Sequence, residues 1–447
     1  MLLQRLVGIL ILMTFMIPYS LAEEPSRDLT IEQAVQLALE HNKAVLIGEE
    51  EVNQYRYRVK QNLGFLPEVS VQGTKNLDEK LMEIEIPSFY PGAPPQKATL
   101  DFTRNYEFTF QVVQPLLAGG SIWLNFKNAQ LDLKIAREKY ENTRKEIILA
   151  VKKVFFNILV LKELLKAHEE ALDLAKTNYT NIEERFKLGM VSKYDLLRAE
   201  LAVSAVKPDL LQVKKLIKLS FFNLKTMTGI PTQTMINIIG ELSYTPRQLQ
   251  EAELVRYSLA NASEILQLKM HLKKADNFLK MAYGQFLPNI SLVAAYTYRA
   301  DAFKLTGLDK NWENYYTVNL ALRFPIFTGL KRSARVGEAR VAKKILDLNI
   351  QQMNDAVTLQ IKDLCETARQ EYENLQSGLK NIETAEEGVR IARLNYDEGL
   401  VSILELNSSI AELTRAKVQF LRAVYNYNIA IAEIEKVSGI KMNGDDR

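Results

Sequence analysis

Apolar or neutral residues at Ile147, Val151, Val154, Ile158, Leu161, Leu165, His168, Leu172, Ala175, Tyr179, Ile182 and Phe186 are spaced four and three residues apart in turn. A 3.5-residue period held this long predicts a coiled-coil-like helix. The same stripe returns at Val357, Ile361, Leu364, Ala368, Leu375, Ile382, Ala385, Val389 and Tyr396. No proline interrupts either stretch before Gly189 or Gly399, so helices are predicted over 121–188 and 331–398, each on the order of 100 Å long at the helical rise. Returning helices are predicted over 191–228 and 401–438, and shorter ones over 31–62 and 249–285. Pro208 falls in the first returning helix where the second has Val418; a kink or break is expected there, because proline removes an intrahelical hydrogen bond.

Other segments change period. Tyr106, Phe108, Phe110 and Val112 alternate with Glu107, Thr109 and Gln111, and Tyr316, Val318, Leu320, Leu322 and Phe324 alternate with Thr317, Asn319, Ala321 and Arg323. Ile290, Leu292, Ala294, Tyr296 and Tyr298 form a third such set, and Val69 and Val71 begin a weaker fourth. Strands are therefore predicted at about 66–76, 105–114, 288–299 and 315–325. Strands of about ten residues with one apolar and one polar face suit a transmembrane β-barrel; the alternative is a soluble sheet with one buried face. Four strands cannot close a membrane barrel, whose smallest forms have about eight and whose edges the bilayer does not tolerate. Several copies must then contribute strands together.

The two periods recur in the same order because the chain reads as a duplication. Gln114-Pro115-Leu116-Leu117-Ala118-Gly119-Gly120 answers to Phe324-Pro325-Ile326-Phe327-Thr328-Gly329-Leu330, and Leu188-Gly189-Met190-Val191-Ser192 to Glu398-Gly399-Leu400-Val401-Ser402, both at an offset of 210. Gly64-Phe65-Leu66-Pro67 matches Gln285-Phe286-Leu287-Pro288 at an offset of 221, so the length difference lies between Pro67 and Pro115. The repeats are taken as 23–230 and 231–447, each a helix-strand-strand-helix-helix unit. At the helix reversals Gly189 and Gly399 supply the positive φ that a C′ position commonly needs.

Before the first repeat, Arg5 leads an apolar run from Leu6 to Ile17 and then Ser20-Leu21-Ala22. That is the form of a secretory signal peptide over 1–22, and the run is shorter than a bilayer-spanning helix. Composition changes the picture little: 47% hydrophobic, 25% charged and a net charge of +3 describe an ordinary folded chain with no implied nucleic-acid partner. Cys365 is the single cysteine, and His41, His168 and His271 are scattered, which excludes an internal disulfide and suggests no metal site. His168 on the stripe is read as a packed neutral residue and Cys365 as a small core residue. No phosphate loop, zinc-binding helix or nucleophile elbow occurs, so neither a cofactor nor catalysis is implied.

In this order and in two registers, the sequence resembles the TolC-like outer membrane efflux proteins, or outer membrane factors. The resemblance rests on Phe65-Leu66-Pro67 and Phe286-Leu287-Pro288 before the first strand of each pair, on Gln114-Pro115-Leu116 and Phe324-Pro325-Ile326 after the second, and on Arg185-Phe186-Lys187-Leu188-Gly189-Met190-Val191-Ser192 and Tyr396-Asp397-Glu398-Gly399-Leu400-Val401-Ser402 at the turns. It implies a mainly α chain with a transmembrane β part, assembled as a homotrimer: a twelve-stranded β-barrel in outer-membrane lipid continued by a twelve-helix coiled-coil α-barrel through the periplasm. A passive efflux or type I secretion channel would follow, served by a periplasmic adaptor (membrane fusion) protein and an inner-membrane pump of RND or ABC type.

The resemblance also assigns residues. A periplasmic gate falls on Asp195, Glu405 and Tyr396, and adaptor contacts fall on Gly189, Met190, Val191, Gly399, Leu400 and Val401. Val401 stands where some members carry a locking arginine, and Ser408 where some carry a second acidic residue, so the closed end is held differently here. The segments 77–105 and 301–311 are expected to face the cell exterior. Against this stand a soluble periplasmic coiled-coil adaptor or scaffold, which leaves the four strands unexplained, and an exported enzyme, for which no convergent polar constellation is present.

Overall fold

The computed structural model describes residues 27–75, 81–87, 90, 95–101, 106–300 and 313–440. The expected signal peptide and the segment 301–311 lie outside them, as does much of 77–105. In chain order the elements are β1 (Arg27–Leu29), α1 (Ile31–His41), α2 (Lys43–Gln61), β2 (Glu68–Lys75), β3 (Leu81–Ile86), β4 (Gln96–Asp101), β5 (Tyr106–Ala118) and α3 (Ser121–Lys187). They continue with α4 (Lys193–Thr228), β6 (Ile236–Ile238), α5 (Glu251–Asn261), α6 (Ser263–Gly284), β7 (Asn289–Ala300), β8 (Glu313–Arg323), α7 (Lys331–Asp397) and α8 (Ile403–Ser438). The long helices match in length, 67 residues for α3 and α7 and 36 for α4 and α8. Among the described residues no helix is long and apolar enough to cross a membrane.

The described residues divide into two compact units, one formed from 27–42, 147–245 and 370–429, the other from those within 43–146, 246–369 and 430–440. In the first, the α3 stripe residues Val151 and Ile158 are buried against Leu29, Ala34 and Ala38 near the N-terminus and Leu224 of α4, with Val154 partly buried and Phe155, beside the predicted stripe, fully in the core. Each of the larger side chains, valine, isoleucine, leucine or phenylalanine, contributes roughly 1.5–3 kcal/mol by leaving water. A capping box starts α1, where the Thr30 and Gln33 side chains each accept from the other's backbone N–H. The three-residue strands β1 and β6 pair in parallel and bury Leu29 and Ile238. Farther along α3 the buried positions shift to Ala167, Ala171 and Ala175, so His168 is half-buried beside the seam rather than on it.

The second unit holds a four-stranded antiparallel sheet of order β2-β5-β7-β8. Its helical core gathers Leu254, Ile361, Leu364, Cys365 and Ile434, and burial pushes the Cys365 thiol up from its ordinary value. Gly119, just after β5, lies backbone to backbone against Gly284 at the end of α6, where a Cβ on either would collide with the other's carbonyl.

Three expectations need correction. The helix expected over 31–62 is two helices, because Asn42 leaves helical geometry at ψ 128° and donates its amide N–H to the Met227 carbonyl, 3.1 Å away. The helix expected over 249–285 likewise breaks at Ala262, where Ser263 donates to Glu138 at 2.6 Å. Pro208 does not break α4, which runs through it; Pro208 and Ser204 are both exposed, so the turn that loses a hydrogen bond to the proline lies at the surface. An added hairpin, β3 with β4, occupies part of the segment read as a loop.

Candidate functional site: the sheet face and the helix turns

Register converts the alternating pattern into two faces. Rows on one face run Val69–Val112–Ala294–Val318 and Val71–Phe110–Tyr296–Tyr316. Rows on the other face run Ser70–Gln111–Ala295–Thr317, Gln72–Thr109–Thr297–Tyr315 and Thr74–Glu107–Arg299–Glu313. Polar contacts fall on this second face, where the Thr109 and Thr297 hydroxyls lie 3.2 Å apart and Arg299 Nε donates to Glu107 Oε2 at 2.8 Å. The apolar face is not a buried one. Val71 is 69% exposed, Val318 63%, Leu320 66% and Leu322 65%, whereas a soluble sheet buries its apolar face against a core. Among the described residues, β2 and β8 each leave one edge unpaired.

At the other candidate site, α3 meets α4 and α7 meets α8 through left-handed glycines, Gly189 at φ +73° and Gly399 at φ +76°. Both turns close the same way. The Met190 N–H donates to Arg185 O and the Leu400 N–H to Asn395 O, each at 2.8 Å, which satisfies carbonyls at the helix ends. Beneath them Ile182, Leu196, Ala199, Ala392, Ile403 and Leu406 share one buried cluster. Met190 and Leu400 project into solvent, 72% and 69% exposed, whereas Val191 and Val401 are half-buried.

The structure brings two of the three sequence-assigned gate residues together. Asp195 lies in the first turn of α4, where Oδ2 accepts from the Ser192 N–H at 3.1 Å and from the Ser192 hydroxyl at 2.6 Å. Tyr396 lies close by: burial raises its hydroxyl above the ordinary value, the Arg185 cation opposes this, and the carboxylates of Asp195 and Asp397 add to it. Glu405 is exposed on the first turn of α8, and its carboxylate makes no ion pair among the described residues. Sequence reasoning assigned no role to Arg185. Its guanidinium sits 5.6 Å from the Tyr396 ring and 3.5 Å from Asp397 Oδ1, tying the end of α3 to the end of α7. The signal was available as opposite charges two residues before one turn glycine and four before the other. Among the described residues no group of acidic, histidine or cysteine side chains has a metal-binding arrangement.

Comparison with known proteins agrees with this layout. A model of the family described as outer membrane efflux protein matches residues 34–230 and 254–440. The chain is 18% identical over 323 residues to the outer membrane protein TolC of Vibrio cholerae serotype O1, covering 71% of this chain and 73% of that one. It is 21% identical over 334 residues to the outer membrane efflux protein BepC of Brucella suis biovar 1, covering 71% and 69%. Among solved structures, the outer membrane protein VceC from Vibrio cholerae superposes with a TM-score of 0.74 at 16% identity, over 91% of this chain and 96% of that chain; at this identity the likeness shows the fold alone.

Proposed function

Because the chain belongs to the outer membrane efflux protein family, we propose that it is one subunit of a homotrimeric duct that conducts solutes passively from an inner-membrane pump and periplasmic adaptor to the cell exterior. Family and fold are those of an efflux or secretion channel of the Gram-negative outer membrane with a large periplasmic part, not of an enzyme. The observation that carries the finer reading is the one-sided sheet, with apolar residues exposed on one face, ion-paired and hydroxyl side chains on the other, and two unpaired edges. Lipid satisfies the first face, a water-filled bore the second, and sheets from two further copies the edges. A soluble adaptor or scaffold leaves all three unexplained. Sedimentation in detergent is expected to give a trimer; a monomer would overturn the reading.

The two repeats would each contribute a helix hairpin to the periplasmic end. Arg185 ties the hairpins within a subunit through Tyr396 and Asp397, in a chain where Val401 replaces the arginine of some relatives. Glu405, unpaired and exposed, is the residue that three copies would present around the axis, where close like charges hold a polyvalent cation. Glu405→Ala is expected to weaken block of single-channel current by a trivalent cation in planar bilayers, with Glu412→Ala leaving it unchanged. Equal block in both variants would place the acidic ring elsewhere.

A further inference from the structure

We propose that a lysine-lined groove between α3, α6 and α7 binds the phosphate headgroup of an anionic phospholipid. The groove encloses about 620 Å³ and draws Lys127 and Lys134 from α3, Lys273 and Lys280 from α6 and Lys343 from α7, against one carboxylate, Asp276. Within each helix the paired lysines are seven residues apart, two turns of the same face. Two columns of cations thus look into one cleft.

Asp276 does not neutralise them. Its carboxylate is shared by Lys280 at 2.7 Å and Lys343 at 2.6 Å, whose hydrogen bonds hold it below the usual range. Lys127, Lys134 and Lys273 make no ion pair among the described residues. Gathering like charges is unfavourable unless a counter-charge joins them, and the chemistry these ammonium groups fit is a phosphate.

Position and neighbours favour a lipid headgroup over a soluble anion. Only two residues separate the end of β5 from the start of α3, and Lys127 lies six residues into that helix, about 9 Å along its axis. If the sheet is embedded in the bilayer, as proposed above, that places the Lys127 backbone a few ångströms beyond the polar zone, which extends roughly 5–7 Å past each side of the hydrocarbon core, a gap that its four-carbon stem spans. Directly above, the exposed Trp123 ring lies 5.3 Å from Lys127 Nζ, an indole beside a cation as at membrane interfaces. Leu131 and Leu272 supply an apolar wall against which the glycerol end of a lipid can rest.

The test uses the detergent-solubilised full chain titrated with short-chain phosphatidylglycerol, with phosphatidylcholine of the same chain length, and with inorganic phosphate. The expected result is a preference for phosphatidylglycerol of about tenfold or more, lost when Lys127→Gln, Lys134→Gln and Lys273→Gln are combined and kept in Lys269→Gln, which lies outside the groove. Equal affinity for the two lipids, or a preference that survives the triple substitution, would overturn the proposal. Displacement of the lipid by an equal concentration of inorganic phosphate would assign the groove to soluble anions instead. Absence of the wild-type protein from outer-membrane fractions would sink the duct reading, whereas normal fractionation without lipid preference would sink this site alone.

Discussion

The turns at Gly189 and Gly399 share a backbone and differ in what their acidic residues do. Both reverse on a left-handed glycine, and both close a helix of 67 residues onto one of 36. Asp195, three residues past Ser192, folds back and accepts two hydrogen bonds from it. Glu405 stands three residues past Ser402 with one more methylene, and its side chain stays exposed while its N–H alone reaches Ser402 O. An acid at matched positions is thus a helix cap in one turn and an unengaged charge in the other, so position alone does not make a gate residue.

The largest effects should be the same on both sides. Ile182→Ala and Leu406→Ala, each removing a fully buried side chain from the cluster under the turns, are expected to destabilise by about 2–5 kcal/mol apiece, measured as local hydrogen-exchange protection in peptides from the helix ends. A cost confined to one of them would mean that the two hairpins do not share a core. Next come Gly189→Ala and Gly399→Ala, about 1–2 kcal/mol each for forcing a Cβ into left-handed geometry. Nothing lies within 4 Å of a Cβ at either glycine, so the cost is purely conformational and should again match.

The caps should part company. Replacing Asp195 with alanine removes both hydrogen bonds to Ser192 and should cost about 1 kcal/mol, while Glu405→Ala should fall within about 0.5 kcal/mol of wild type; equal losses in thermal denaturation would erase the contrast. Smallest is a pH effect. Burial holds the Tyr396 proton more tightly in the folded tip than in the unfolded chain, so the stabilisation is complete below the ordinary tyrosine value of about 10 and is lost as pH rises through the higher folded value. Melting between neutral pH and strong alkali should show a drop that Tyr396→Phe flattens.

Much of this was written in periodicity. The stripe at Val151, Ile158 and Ile182 and the alternation at Phe108 and Phe110 are local patterns, and local patterns specify helix and strand wherever one face must be apolar. What escaped depends on partners distant in sequence. Asn42 and Ala262 are tolerable in a helix, and it is the Met227 carbonyl and the Glu138 carboxylate that mark where the chain breaks. β1 and β6 are too short to carry a period. In β3, Ile84 and Ile86 alternate with Glu83 and Glu85, but the prolines at 87, 91, 94 and 95 that follow made the segment read as loop. At the helix turns the glycines were legible from backbone need, whereas Arg185 acquires its role only once the ends of α3 and α7 are side by side.

The most direct test of the account is whether edge β2 of one copy meets edge β8 of the next. Ser70→Cys is held fixed and a second cysteine is scanned along β8 at Glu313, Tyr315, Thr317, Asn319, Ala321 and Arg323, because barrel shear sets which of them it meets. At least one pair should on oxidation in membranes give covalent bands for one, two and three copies and none larger, because three sheets close the ring; Cys365, buried with its thiol pushed up, should not contribute. A ladder continuing past three copies, or a monomer band alone for every pair, would contradict the trimeric duct.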